Sequence, residues 1–227
     1  AYRPALAAPF IKLRLPMNLD LLTIRRFTAG VIYPQVTLSR NDLTFLFDHI
    51  SQKFDYNTLS LLPDGARIAQ GENEIYIQTN RTQVNEAIAT HFQDTKERAT
   101  QIFQVVMDQL RVTQYQIFGV KLIAFQPADG SAAWFLEQKL LSVPQEKLAI
   151  LGSGRRGTGF RFNFYRDYTN YDLRIEPYFA DLSQIFLELD VNYQTPLGSL
   201  EEIGPRIDRV YNYLLGEVRQ FLAALVS

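Results

Sequence analysis

Between Val84 and Val112 the chain has neither proline nor glycine, and its apolar residues recur with a period of about 3.6. Val84, Ala87, Ile88, His91, Phe92 and Thr95 begin the stripe, and Ala99, Ile102, Phe103, Val106, Met107 and Leu110 continue it. Glu86, Asp94, Glu97, Arg98, Gln101 and Asp108 fall on the opposite side. The spacing predicts one amphipathic helix over 84–112. At 1.5 Å per residue it would be about 40 Å long, more than a compact helical core needs, so it has to lie along a sheet or a partner.

The segment that follows, Tyr115–Phe125, reads YQIFGVKLIAF. Phe118, Val120, Leu122 and Ala124 face one way, and Ile117, Ile123 and Phe125 the other, which predicts a central strand covered on both faces. Period-two patterning also predicts strands over 27–38, 58–69, 74–79, 147–151, 160–166, 172–178 and 184–193. Pro34 assigns the first of these to a sheet edge or a bulge. Gln70-Gly71-Glu72-Asn73 is the expected hairpin turn between the second and third. Short helices are expected over Arg40–Phe54, capped by Ser39, and over Ser131–Leu141, with Trp134 as a core anchor. A second long amphipathic helix closes the chain over Pro205–Val226, with its proline in the first turn. Residues 1–26 are set apart as an N-terminal arm.

Residues 27–112 run strand, short helix, strands, long helix; residues 115–227 run strand, short helix, four strands, long helix. The expected architecture is therefore α+β: one pseudo-duplicated domain over 27–227, whose antiparallel sheet carries two long and two short helices. The second half's order, β-α-β-β-β-β-α, resembles the unit of the TATA-binding-protein-like fold. That resemblance implies two units sharing one curved antiparallel sheet, with both long helices on a single face. The first half departs from it, showing two strands where the unit has four. The chain also resembles a sporadically distributed, uncharacterised bacterial family that places a strand of the form R-x-G-L-R-Y-x-N after its long mid-chain helix. Gln116–Ile123 stands in that place, where Gly119 and the basic Lys121 match and the Arg, Tyr and Asn are absent. The resemblance implies no activity.

Composition narrows the function classes. The 227 residues carry 23 Lys+Arg against 24 Asp+Glu, a net charge of -1, so the basic footprint of most nucleic-acid binders is missing. Absence of cysteine removes disulfides, thiolate metal ligands and cysteine nucleophiles. Two isolated histidines, His49 and His91, do not make a zinc site. No run of about 18 apolar residues occurs that would make a membrane-spanning helix. The longest uncharged stretch near the start, Pro4–Ile11, is short and carries prolines at Pro4 and Pro9, so no secretory signal is expected and a cytoplasmic location is.

The stretch richest in candidate chemistry is Gly152-Ser153-Gly154-Arg155-Arg156-Gly157-Thr158-Gly159. Gly154 and Gly157 with Arg155 and Arg156 offer backbone N–H groups and guanidinium to an anion. The loop is not a nucleotide P-loop, because no Gly-Lys-Ser/Thr and no helix follow it. The plainer alternative is a hairpin tip. On the last strands Arg161, Tyr165 and Arg174 share a polar face with Asp172, Glu188 and Asp190, while Phe160, Phe162 and Phe164 point to the core. Tyr165, Tyr168 and Tyr171 are the aromatics expected at the surface. With no catalytic constellation, cofactor motif or metal set, the expectation is a non-enzymatic interaction or assembly module whose partner is another protein or a second copy. The alternative is nucleic acid or a small anionic ligand, held by the 152–159 loop and the polar sheet face.

Overall fold

The computed structural model describes residues 17–88, 91–152, 154 and 156–226, so most of the 1–26 arm, together with Ser153 and Arg155, lies outside the described residues. The described residues form one sheet of nine strands in the order β2-β3-β4-β5-β1-β6-β9-β8-β7. Every neighbouring pair is antiparallel.

Strand β1, Thr23–Ile32, buries Phe27, Ala29 and Val31 and turns Thr28, Gly30 and Ile32 the other way. It starts four residues before the boundary expected at Phe27, with a bulge between Ile24 and Arg26. Pro34 lies two residues beyond its end, where a missing N–H breaks no ladder bond, so β1 sits in the middle of the sheet and not at an edge. Helix α1, Arg40–Phe54, opens on a reciprocal cap: Asp42 N–H donates to Ser39 Oγ, and Ser39 N–H donates back to the Asp42 carboxylate.

Four strands follow where two were expected: β2 Thr58–Leu62, β3 Gly65–Gln70, β4 Asn73–Gln78 and β5 Arg81–Ala87. The run expected as one strand over 58–69 is a hairpin, because Pro63-Asp64-Gly65 is a turn signature. Gly65 is required there, since a Cβ would stand 1.9 Å from the Ile77 carbonyl oxygen. Strand β5 occupies the start of what reads as helix in the sequence. Its inward residues are Thr82, Val84 and Glu86, and two polar members hide the alternation. Helix α2 is accordingly shorter, Phe92–Leu110, with His91 at its N-cap.

Strand β6, Ile117–Pro127, pairs with β1 over nine residues and joins the halves. It is central, yet covered on one face only: Phe118, Val120, Leu122, Ala124 and Gln126 are buried, while Ile117, Gly119, Lys121, Ile123 and Phe125 are half-exposed. Helix α3, Ala132–Leu140, buries Ala132, Ala133 and Leu136, and leaves Trp134 47% exposed rather than anchored in the core. The strand expected over 147–151 is helical instead, a short turn α4 at Gln145–Leu148 and a 3-10 turn to Leu151. Its Ile150 and Leu151 are more than 80% exposed, so their hydrophobicity reports no core strand.

Strands β7 Phe160–Arg166, β8 Thr169–Pro177 and β9 Gln184–Tyr193 complete the sheet, three where four were expected. Asp167 and Tyr168, both at positive φ (49° and 56°), form the two-residue turn between β7 and β8. The last helix is not continuous. Helix α5, Ile203–Tyr213, passes through a π-turn at Leu214–Val218 into α6, Arg219–Val226. The helices supply Leu46, Ile50, Phe103, Val106, Ile207 and Leu214 to a single core with the inward face of every strand from β1 to β9 except β2 and β7, whose side chains pack at its margin. Among the described residues no helix covers the opposite face of the sheet.

Candidate functional site: the open sheet face

The site begins with two glycines. Gly30 on β1 and Gly119 on β6 stand directly opposite one another at the seam of the two halves, and both point to the open face. Neither has a positive φ, so backbone conformation does not require glycine at either place. Glycine in the middle of a strand forfeits roughly 0.5–1 kcal/mol relative to a side-chain-bearing residue, and often marks a close approach by something else. Here two adjacent losses produce a trough of about 490 Å³ floored by bare peptide.

Register decides what rims it. Gln83 on β5 pairs with Gly30, and Asn192 on β9 pairs with Gly119, so two carboxamides flank the two glycines in one row. The next row holds Thr28 and Lys121, and the row on the other side Ile32 and Ile117. Gln83 Nε2 donates to Asn85 Oδ1 at 2.7 Å and Asn192 Nδ2 donates to Asp190 Oδ1 at 3.0 Å. Asn192 Oδ1 leans over the floor, 2.7 Å from where a Gly119 Cβ would stand. Arg81 arches over the other glycine, its Nε 4.0 Å from the Gly30 Cβ position, and no ion pair or hydrogen bond engages its guanidinium among the described residues.

The cations on the β6–β9–β8–β7 side of this face are engaged. Arg161 stands opposite Arg174 and bridges diagonally to Asp172, whereas Arg174 stands directly opposite Glu188 and Lys121 directly opposite Asp190. Arg161 Nε donates to the Asp172 carboxylate at 2.8 and 3.0 Å. That bond holds the Asp172 carboxyl below its usual range. Arg174 donates to Glu188 at 3.1 Å and to Glu176 at 3.0 Å, and Lys121 reaches Asp190 at 3.1 Å. On the other side of the seam Arg67 donates to Glu74 at 2.9 Å, lowering the Glu74 pKa in the same way. Beside this ladder lies an aromatic patch: Phe125 meets Phe186 at 5.8 Å and Tyr178 at 4.8 Å between ring centroids, both edge-on.

Of the ligand residues read from the sequence, Arg161, Tyr165 and Arg174 share this open face. The loop residues do not join them. Arg156 donates to the Phe179 carbonyl oxygen and lies over the Phe179 ring at 5.4 Å. Gly157 presses against Ala133 of α3 and Pro177, where a Cβ would stand 2.8 Å from each. Gly154 has a positive φ of 82° and open space around it. Tyr165 lies at the far end of β7 from this loop, 59% exposed, with Tyr168 edge-on at 6.5 Å. Tyr171, expected at the surface, is buried instead, stacked on Phe164 at 4.9 Å and packed against Tyr213 at 4.8 Å. Strand alternation carries Tyr171 inward with Leu173 and Ile175.

Sequence reasoning missed Gly30, Gln83 and Arg81, because Gly30 reads as one more small residue in a strand, and Arg81 and Gln83 fall between the strand expected over 74–79 and the helix expected over 84–112. The signal that could have found them is the pairing of a glycine in each of the two seam strands.

Glu86 is the one fully buried carboxylate among the described residues, 0% exposed on the helix side of β5. It accepts from Tyr56 OH at 3.1 Å and from Arg98 Nε at 2.9 Å, and burial raises its pKa despite both partners. This cluster ties β5 to α1 and α2 and opens onto no cavity of the open face. Among the described residues no group of three or more His, Asp or Glu is placed to hold a metal ion, and no helix is long and apolar enough to cross a membrane.

These features define the chain as an α+β protein whose described residues cover one face of a long antiparallel sheet with helices and leave the other bare. No protein-family model matches it, and a comparison with curated proteins finds no match.

Proposed function

We propose that this protein is a non-enzymatic interaction module that receives a segment of another protein on its open sheet face, centred on the Gly30–Gly119 trough. The observation that carries the reading is the side-chain-free floor at the seam, flanked by Gln83 and Asn192 and overhung by Arg81, whose guanidinium has no partner among the described residues. A partner's extended backbone finds the Gln83 and Asn192 carboxamides there, Arg81 takes a carboxylate, and the Phe125–Phe186 patch alongside supplies apolar contact. Across this face the cations Arg67, Arg81, Lys121, Arg161 and Arg174 are interspersed with the anions Glu74, Asp172, Glu176, Glu188 and Asp190, a balance that suits a protein better than a polyanion.

The alternative is a small anionic ligand or nucleic acid, held by Gly154, Arg155, Arg156 and Gly157 with the polar face, and the free guanidinium of Arg81 among the described residues is what favours an anion. We also read the halves as a duplicated unit of TATA-binding-protein type. The support is the strand order, which runs outward from the seam as β1-β5-β4-β3-β2 on one side and β6-β9-β8-β7 on the other.

Gly30→Val tests the reading. A Cβ there meets its nearest neighbour at 3.7 Å, an ordinary contact, so the fold accepts it. Valine is expected to raise stability by roughly 0.5–1 kcal/mol through strand propensity while filling the trough. Affinity capture with wild type, Gly30→Val and Arg81→Ala as baits should return a protein that both variants lose. If all three retain the same proteins, the open-face reading fails. Retention of nucleic acid that falls steeply with salt, or a small-molecule adduct in native mass spectrometry, would put the alternative in its place.

A further inference from the structure

Among the described residues the second half of the sheet ends one strand short of the first, and its last strand has a free edge. Strand β7 is seven residues long, FRFNFYR, with no proline and no bulge in its pairing to β8. Edges are normally blunted by one of those devices, by charged side chains or by a covering element; β7 carries only the charges of Arg161 and Arg166, and the described residues make no backbone hydrogen bond along its outer side. Under it lies a mostly apolar groove of about 230 Å³, lined by Phe162, Phe164, Leu173, Tyr213, Val218 and Phe221, with Glu217 as its one charged residue. The π-turn between α5 and α6 sets Val218 and Phe221 against this strand, and Phe221 meets Phe162 edge-on at 5.7 Å.

The direction of the free groups follows from the turn. Arg166 and Thr169 flank a two-residue turn with positive φ at both central positions, so they exchange both backbone hydrogen bonds with each other. Counting back by twos, Phe164, Phe162 and Phe160 also bond to β8. Arg161, Asn163 and Tyr165 therefore direct their N–H and C=O groups outward.

We propose that a second copy of this chain occupies the edge, its β7 pairing antiparallel with ours about a two-fold axis through Asn163. The strand's own sequence selects that occupant. The strand complements itself in this register: all three outward-bonding residues pair, Asn163 with its own copy and Arg161 with Tyr165, giving about six hydrogen bonds. Phe162 then meets the copy's Phe164 on the core side, closing both grooves, and Arg161 meets an exposed tyrosine ring rather than another cation. The proposal concerns a different surface from the open face and stands or falls without it.

The absence of cysteine makes the test clean. In the proposed register the two Asn163 Cα atoms are about 5.5 Å apart, within disulfide range. Asn163→Cys should oxidise to a covalent dimer, whereas Asn170→Cys, on the same face of β8, should stay monomeric. Wild type should sediment as a dimer at about 100 µM, a concentration that even a small, weak interface reaches, and Asn163→Lys should weaken the association roughly tenfold or more. Asn163→Pro removes only an outward N–H, so it should give a folded monomer with an unchanged circular dichroism spectrum. A wild type that is monomeric at that concentration overturns the proposal. So does a dimer indifferent to Asn163→Lys and Asn163→Pro, or one that Asn170→Cys traps as readily.

Discussion

Single residues in this protein carry opposite pH signatures. Asp172 and Glu74 are held below the ordinary carboxylate range by arginine, so the stability they contribute is present above about pH 4 and is lost as pH falls through their lowered values. Glu86 works the other way. Its pKa is raised by burial, so the folded state binds its proton more tightly than the unfolded chain, and its contribution declines as pH rises from the ordinary carboxylate value through the raised one. Against a Glu86→Gln reference, urea unfolding should find wild type losing relative stability between acid and neutral pH. A difference that is flat with pH would show that Arg98 and Tyr56 compensate the desolvation in full. Burial also pushes the Tyr33 phenol up to about 12, where it donates to the Gln78 carbonyl at 2.8 Å and stays neutral throughout the range of such an experiment.

At the scale of elements, the joint between β9 and α5 concentrates on Arg206. This buried guanidinium donates to the carbonyls of Thr195 and Pro196 at 2.8 and 2.9 Å and to Glu202 at 2.7 Å, and it lies over the Tyr193 ring at 4.9 Å. Tyr193 OH donates in return to the Arg206 carbonyl at 2.8 Å. Arg206→Ala leaves two carbonyls and a carboxylate without their donor, and should cost about 2–4 kcal/mol in chemical denaturation. A loss below about 1 kcal/mol would mean that water replaces the guanidinium there.

What was legible in the sequence divides along the same physical line. Elements whose buried face is apolar could be read: α1 with its Ser39 cap, α3, β7 and β9, and the alternation that puts Arg161 and Arg174 opposite the phenylalanines. Elements whose buried face is polar could not. Thr82 and Glu86 sit at core positions of β5, so their strand was absorbed into the helix that follows. Lys147–Leu151 failed in the reverse sense, its apolar residues being at the surface. The trough was illegible for a third reason, since its defining property is a register between strands almost ninety residues apart, which no local pattern reports.

For the molecule as a whole, the pairing of β1 with β6 along nine residues means that neither half closes its core alone. One cooperative unfolding transition is expected. Trp134, the sole tryptophan, reports on the second half, so its fluorescence and the far-ultraviolet circular dichroism of the whole chain should give coincident urea curves. Separated midpoints would show two units that fold independently across the seam. The seam also places the trough where movement of one half against the other would alter its width, so occupancy of Gly30–Gly119 and the stiffness of the sheet are linked.

The central position of β1 has a consequence during synthesis. Among the nine described strands it leaves the ribosome first, yet its neighbours are β5 and β6, and the nearer of these is complete only at Ala87. At 5–20 residues per second the 55 residues after Ile32 take roughly 3–11 s, during which Phe27, Ala29 and Val31 have no partner strand. The nascent chain therefore passes through a stage in which its future midline is its most exposed part, a natural point for a chaperone to hold it.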